Sequence, residues 1–351
     1  MQKAKKVSQG QEKSLTVGYK MKNTILADGR WQGLNGIGRF SHEVLSRLKE
    51  TDICYEGPKP LSLKNLWWHP RWLKKQSSRY NIFFTPGFNP VFTTDLPYVI
   101  TIADLIHLYA PGHPHILKKL FYHQWIKPSI KNAYKVITVS EYSKKTIMSW
   151  TNISAENIIT VGCGVSLAMS AQGNTFNPGY PYLLHVGNTK PHKNVSRLFR
   201  AFALAKLPVD MKLILTGQIT DELNTIIREY HLANRIIATP PLSETQLAEY
   251  YRGAHAVVFP SLYEGFGLPV IEGMASGTPV LTSTVTSLPE VAGDAALLVD
   301  PYALEAMIHG LECIVYDETL RANLIHKGLL RAKTFTWEKT SAKIQNVLVK
   351  L

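Results

Sequence analysis

Seven residues separate Glu264 from Glu272, and a Gly-x-Gly turn, Gly265-Phe266-Gly267, follows the first glutamate directly. An apolar run from Ala256 to Phe259 leads in and reads as a buried parallel strand. Pro269 suits the first turn of a helix, where its missing N–H costs nothing. The spacing therefore predicts Glu264 on a strand-to-helix loop and Glu272 in the first turn of the helix. Gly265 and Gly267 let backbone N–H groups approach a ligand closely. The positive end of the helix favours a phosphate. Such a unit can bind a sugar hydroxyl, a diphosphate and a ribose at once. The alternative is a ligand-free βα turn with two surface glutamates. Each part alone fits that alternative well; the whole string is more specific.

A second group surrounds Lys193, in His185-Val186-Gly187-Asn188-Thr189-Lys190-Pro191-His192-Lys193-Asn194. Lys193 follows a strand and loop and precedes an apolar helix. A lysine there is a point charge on a flexible stem that suits a phosphate; otherwise it is a solvated loop lysine. A third group, Val99-Ile100-Thr101-Ile102-Ala103-Asp104-Leu105-Ile106-His107, ends a strand with an acid and a histidine. Arg39, beside Gly36 and Gly38, faces either a phosphate or solvent. No Asp-x-Asp motif and no His/Cys cluster is present, so no metal site is expected.

The Glu264-x7-Glu272 string resembles the donor-binding signature of retaining glycosyltransferases in glycosyltransferase family 4, the glycosyl transferases group 1 proteins. The resemblance extends to the Lys193 loop, Leu213 to Gly217, Val136 to Ser143, and the opening loop Gly33 to Phe40. It implies an α/β GT-B fold, two Rossmann-like domains with parallel sheets facing a central cleft. It implies Glu264 on donor-sugar hydroxyls and Glu272 on the ribose. Gly265, Phe266, Gly267 and Leu268 would give backbone contacts, and Lys193, with Gly187, would meet the diphosphate. Gly36 and Gly38 resemble the turn that closes over diphosphate or acceptor. Asp104 is expected to orient or deprotonate the acceptor, with His107 in reserve. The family's loop often carries an arginine where this chain has Asn188, and a histidine where it has Ala103. The nucleotide sugar would be a co-substrate; no metal or other cofactor is expected. The Pro191-His192-Lys193-Asn194 loop is similar to that of many mannosyltransferases, pointing to GDP-mannose.

The elements that position these groups follow from an alternating strand–helix pattern, which implies parallel sheets with ligands at the carboxyl ends of strands. The expected divisions are a disordered basic arm at 1–22, an acceptor-binding domain at 23–165, a linker at 166–180, a nucleotide-sugar domain at 181–335, and a last helix at 336–351. The resemblance implies that this helix packs back on the first domain. In 115–131 a helix is expected to turn Leu117, Leu120, Phe121 and Ile126 inward. Segment 61–80 mixes Trp67, Trp68 and Trp72 with lysines and arginines, and Pro70 argues against one long helix there.

The formal net charge is +13; residues 1–165 hold 23 Lys and Arg against 10 Asp and Glu, and the rest hold 16 of each. The excess thus lies wholly in the N-terminal half, which suggests a polyanionic partner or only a soluble lysine-rich surface. Three dispersed cysteines fit a reducing cytoplasm. The expected protein is a cytoplasmic hexosyltransferase, peripheral on the inner face of the plasma membrane. Its acceptor would be a lipid-linked saccharide or glycan of a surface polysaccharide, and its partners an anionic membrane surface but no nucleic acid. Rivals are a nucleotide-sugar epimerase of the same fold and a non-catalytic nucleotide-sugar-binding protein.

Overall fold

The computed structural model describes residues 25–350, apart from 32, 34, 35, 92–94 and 113–115. The basic arm expected at 1–22 falls outside the described residues. Two six-stranded sheets, all parallel, carry the fold. The first contains β1 (Ile25–Asp28), β2 (Thr51–Cys54), β3 (Ile82–Thr85), β4 (Tyr98–Thr101), β5 (Lys135–Thr138) and β6 (Ile158–Thr160), in the order β2-β1-β3-β4-β5-β6. The second contains β7 (Tyr182–His185), β8 (Lys212–Leu215), β9 (Ile236–Ala238), β10 (Ala256–Phe259), β11 (Val280–Ser283) and β12 (Leu297–Val299), in the order β12-β11-β10-β7-β8-β9.

The strands are short apolar runs because helices cover both faces of a parallel sheet. In β10, Val257 and Phe259 enter one core and Ala256 and Val258 the other, the period of two that a strand imposes. Each sheet reverses its direction of growth once. That happens between β1 and β3 in the first, and between β7 and β10 in the second. Ligands of open α/β sheets bind in the crevice at that reversal. The Lys193 loop leaves β7 and the Glu264 loop leaves β10, so the second crevice lies between them.

The final helix, Trp337–Leu348, packs on the first domain's Gly36–Leu45 helix. Trp337 meets Phe40 edge-on at 6.1 Å, and Arg47 pairs with Glu338 at 3.0 Å. Residues 161–181 hold no helix or strand; Phe176 stacks on Tyr250 at 3.9 Å and ties this segment to the second domain.

Three expectations fail. Pro70 does not interrupt its segment: a helix spans Leu63–Gln76, capped by Ser62. Trp68 stacks on Trp72, and His69 and Leu73 are buried, so tertiary packing outweighs the roughly 3 kcal/mol that an interior proline costs. In the second case, residues 116–132 are not one continuous α-helix. A π-helical segment, Tyr122–Ile126, separates Ile116–Phe121 from Lys127–Asn132. The extra residue rotates the following face by roughly 100°. Ile126 and Ile130 are therefore buried while Leu117 and Leu120 are 77% and 49% exposed. Finally, the helix after Glu264 starts at Leu268, capped by Gly267 in the left-handed region, which places Glu272 in the second turn rather than the first.

Candidate active site

Glu264 sits on the loop between β10 and the helix Leu268–Ala275, and its Oε1 lies 2.6 Å from Lys193 Nζ. The loop is tied down from behind. The Ser287 hydroxyl donates to the carbonyls of Glu264 and Phe266, and the Glu264 N–H donates to Thr286 Oγ1. Lys193 ends a short 3₁₀ turn that begins with Pro191, and its Nζ lies 4.7 Å above the Phe259 ring. Gly187 turns the preceding loop at φ +137°, and Lys193 Cε passes 3.7 Å from where a Cβ would sit. His185, fully buried at the end of β7, is pushed down to about 4 by burial and stays neutral. Lys193 therefore stands as the cation facing Glu264.

Across the cleft, Asp104 follows β4 in the first domain. A Cβ on Gly265 would fall 2.5 Å from Asp104 Oδ2, so only glycine lets the two domains meet there. Asp104 Oδ1 accepts from the Ile106 N–H at 2.9 Å. Burial pushes its carboxyl up to about 6; the charge of Glu264 adds to the rise, and the Ile106 N–H and Lys193 oppose it. Asp104, Glu264 and Lys193 thus form one electrostatic group drawn from both domains. His107 packs against Phe88 and Tyr122, with ring centroids 6.2 and 5.9 Å away, inside an aromatic cluster of the first domain. Asn188 is exposed, and its Oδ1 accepts from the Lys190 N–H, closing its own loop.

Glu272 is buried and both its oxygens are engaged. Arg39 Nη1 donates to Oε1 at 2.7 Å and the Tyr251 hydroxyl to Oε2 at 2.7 Å. Burial raises its carboxyl above the ordinary value; Arg39 and Tyr251 counter it. Arg39 also reaches Glu244 at 2.5 Å. It is partly exposed and bridges the domains, holding a glutamate on either side. Gly38, in the same helix, stands where a Cβ would lie 2.3 Å from the Gly33 carbonyl oxygen, so it lets the opening loop fold back. Gly36 opens that helix, and among the described residues nothing lies within 4 Å of where its Cβ would sit. Arg39→Met is expected to lower stability by about 2–4 kcal/mol at neutral pH, because it leaves Glu272 buried without its cation. The loss should shrink as pH falls and Glu272 protonates. Urea melts at two pH values measure it, and an equal loss at both would refute the assignment.

Several contacts were invisible in the sequence. Glu290, from the second domain, accepts from the N–H groups of Glu141 and Tyr142 at 2.8 and 3.1 Å. It thereby caps the helix Glu141–Thr151 of the other domain. Phe266, expected as a backbone contact, turns its ring into the interdomain core against Phe335 at 5.7 Å. Leu268 starts the helix and is partly buried. At the crevice of the first sheet, Asp28 pairs with Arg30 at 2.8 Å and accepts from Asn89 at 2.6 Å.

The model of the glycosyl transferases group 1 family matches residues 170–331, the segment holding Lys193, Glu264 and Glu272. That match covers a little under half of the chain. Over 304 residues the chain is 29% identical to the O-antigen chain mannosyltransferase B of Escherichia coli, covering 79% of this chain and 77% of that one. It is 26% identical over 290 residues to the serotype-specific mannosyltransferase WbdA of Escherichia coli, covering 75% of this chain and 35% of that one. The chain thus corresponds to about a third of WbdA's length. Among solved structures, Anabaena Alr3699/HepE in complex with UDP and glucose superposes with a TM-score of 0.75. It is 15% identical and covers 93% of this chain and 100% of that one. The architecture is the GT-B fold of two Rossmann-like domains. The group 1 domain supplies Lys193, Glu264 and Glu272, and the first domain supplies Asp104 and Arg39. Among the described residues no group of three or more His, Cys, Asp or Glu side chains could hold a metal ion.

Proposed function

We propose that this glycosyltransferase moves a hexose, mannose from GDP-mannose in the first instance, to a lipid-linked saccharide or glycan of a surface polysaccharide. The observation that carries the reading is the Lys193–Glu264 pair, 2.6 Å apart at the crevice between β7 and β10, with Asp104 opposite. In this reading the bond from the anomeric carbon to the diphosphate breaks, and its electron pair leaves with the nucleoside diphosphate. Lys193 and the N–H groups of the Gly265–Leu268 turn stabilise that charge. The acceptor oxygen attacks from the same face, with retention, and Asp104 orients its hydroxyl and takes its proton. Glu264 releases one oxygen to the sugar hydroxyls. The ribose replaces Arg39 or Tyr251 on Glu272. A lysine and backbone dipoles here do the work that a divalent metal does elsewhere. The mannosyltransferase names of the relatives support the sugar, and the segregated positive charge supports work at the cytoplasmic face of an anionic membrane.

The testing experiment is a thermal-shift panel of GDP-, UDP-, ADP- and dTDP-sugars with and without a chelator. A ligand that binds only the native state raises the melting temperature. GDP-mannose is expected to give the largest shift, equal in both buffers. A selective shift with another sugar would replace the donor, a shift lost in chelator would reject metal independence, and no shift from any donor would reject the site.

A further inference from the structure

The chain crosses between the domains twice, in residues 161–181 and again in residues 333–336, where it returns to the first domain. The two crossings touch. The Val165 N–H donates to the Phe335 carbonyl at 3.2 Å, and a Cβ on Gly164 would overlap the Trp337 N–H. Beside them lies a cavity of about 440 Å³. It is separate from the crevice described above, since Lys193, Glu264 and Asp104 do not line it. Three bodies form its walls. The first domain gives Val139 and Thr160, the second Phe266 and Arg331, and the final helix Lys339 and Lys343.

Three cations line this cavity against one acid, Glu290. Both oxygens of Glu290 are taken by the N–H groups of Glu141 and Tyr142, so its charge is turned toward the first domain's helix. Arg331 is fixed by the Val291 and Glu290 carbonyls. Lys339 and Lys343 are held by nothing comparable. Each Nζ reaches one backbone carbonyl, at 3.4 and 3.5 Å. Among the described residues neither forms an ion pair. They stand four residues apart on one helix face, where like charges repel. The opposite face of that helix is occupied: Trp337, Ile344 and Leu348 enter the core, and Glu338 pairs with Arg47. Thr160 adds another unanswered group. Its hydroxyl oxygen is buried and has no hydrogen-bond partner among the described residues.

We propose that this cavity binds a hexose phosphate, which bridges the two domains and strengthens donor binding. The phosphate pairs with Lys339 and Lys343, whose mutual repulsion it relieves. The sugar hydroxyls meet Thr160 and the Asn346 amide, and its apolar face meets the Phe266 and Phe335 rings. The volume suits a small molecule rather than a polymer. Inorganic phosphate would answer the lysines but leave Thr160 and the rings uncovered. Phe266 links this cavity to the crevice. Its ring forms a wall here, while its backbone belongs to the Gly265–Leu268 turn and its carbonyl accepts from Ser287. A ligand touching all three walls therefore holds the arrangement in which Gly265 meets Asp104. The effect on the donor rests on the donor site proposed above; binding in the cavity does not.

The experiment is a thermal-shift titration of the full chain with mannose 6-phosphate, mannose and inorganic phosphate. Mannose 6-phosphate is expected to give the largest rise and mannose none. Lys339→Ala/Lys343→Ala should weaken mannose 6-phosphate binding about ten-fold, the loss of charged hydrogen bonds. Both lysines are exposed, so the variant's own melting temperature and its shift with GDP-mannose alone should stay at wild-type values. Saturating mannose 6-phosphate should lower the Kd of GDP-mannose about five-fold in the wild type and leave it unchanged in the variant. No shift with mannose 6-phosphate, or an equal shift in the variant, would overturn the site. An equal shift with inorganic phosphate would overturn the sugar assignment, and an unchanged donor Kd would overturn the coupling. A lysine-dependent shift with mannose 6-phosphate but none with any nucleotide sugar would instead count against the donor site and leave the cavity's assignment standing.

Discussion

Glu264→Gln is expected to lower the transfer rate a hundred- to a thousand-fold, with little change in donor KM. Gln keeps the shape but removes the charge that holds Lys193 Nζ at 2.6 Å and that anchors the sugar hydroxyls in the proposed site. Removing one well-placed electrostatic partner of a transition state typically costs about 10²–10³ in rate. In the proposed site the diphosphate contacts come from Lys193 and the backbone turn, which the substitution leaves in place. The loss should therefore appear in kcat. Steady-state kinetics with GDP-mannose and a lipid-linked acceptor separate the two parameters, and a circular-dichroism melt controls for folding. A kcat within about three-fold of wild type would remove Glu264 from the reaction. A rise in KM alone would make it a binding residue only.

Asp104→Asn has the second largest expected effect, opposite in sign for rate and for stability. Asp104 is raised from its ordinary value of 3.8 to about 6 in the folded protein. A raised carboxyl contributes stability fully below its unfolded value, and that contribution is lost as pH rises through the folded one. Wild type at pH 7.5 thus holds an ionised carboxylate that its surroundings disfavour. Asparagine removes that burden, so the variant should be more stable at pH 7.5. A shift of this size sets an upper bound of about 3 kcal/mol, lowered by partial solvent screening. The gap should close between pH 6 and 4. Activity should move the other way: wild-type rate rising with an apparent pKa near 6, and the variant slow throughout. Urea melts and a pH–rate profile give both readings. Equal stabilities across this range would refute the buried-carboxylate account.

Much of this arrangement was legible in the chain because strands of a parallel sheet are local apolar runs and the crevice between β7 and β10 is built from contiguous loops. Leu183 to Val186, Leu213 to Leu215 and Ala256 to Phe259 announce themselves, and Glu264 lands on its loop as expected. The edge strand Thr51–Cys54 did not, since Thr-Asp-Ile-Cys has no apolar pattern and is only half covered. Pro70 misled because a local rule was outweighed by the packing of His69 and Trp72 on Phe83 of β3. Leu117 and Leu120 misled because a single inserted residue in the following turn shifts the buried face. Arg39 with Glu272, 233 positions apart, and Glu290 with the Glu141 N–H lie beyond any sequence period. Only folding brings them together, and they fix how the two domains meet.

The return of the Trp337–Leu348 helix to the first domain bears on the order of events during synthesis. Phe40 and Val44 belong to a core that Trp337, Ile344 and Leu348 complete. While the ribosome is still making the second domain, the first already has its six strands but lacks this cover. Its last apolar face stays open until Trp337–Leu348 has left the exit tunnel. The N-terminal domain therefore matures only after the second domain's strands have been made, against the order of translation, and a chain that stops short of Trp337 leaves this face of the first domain uncovered.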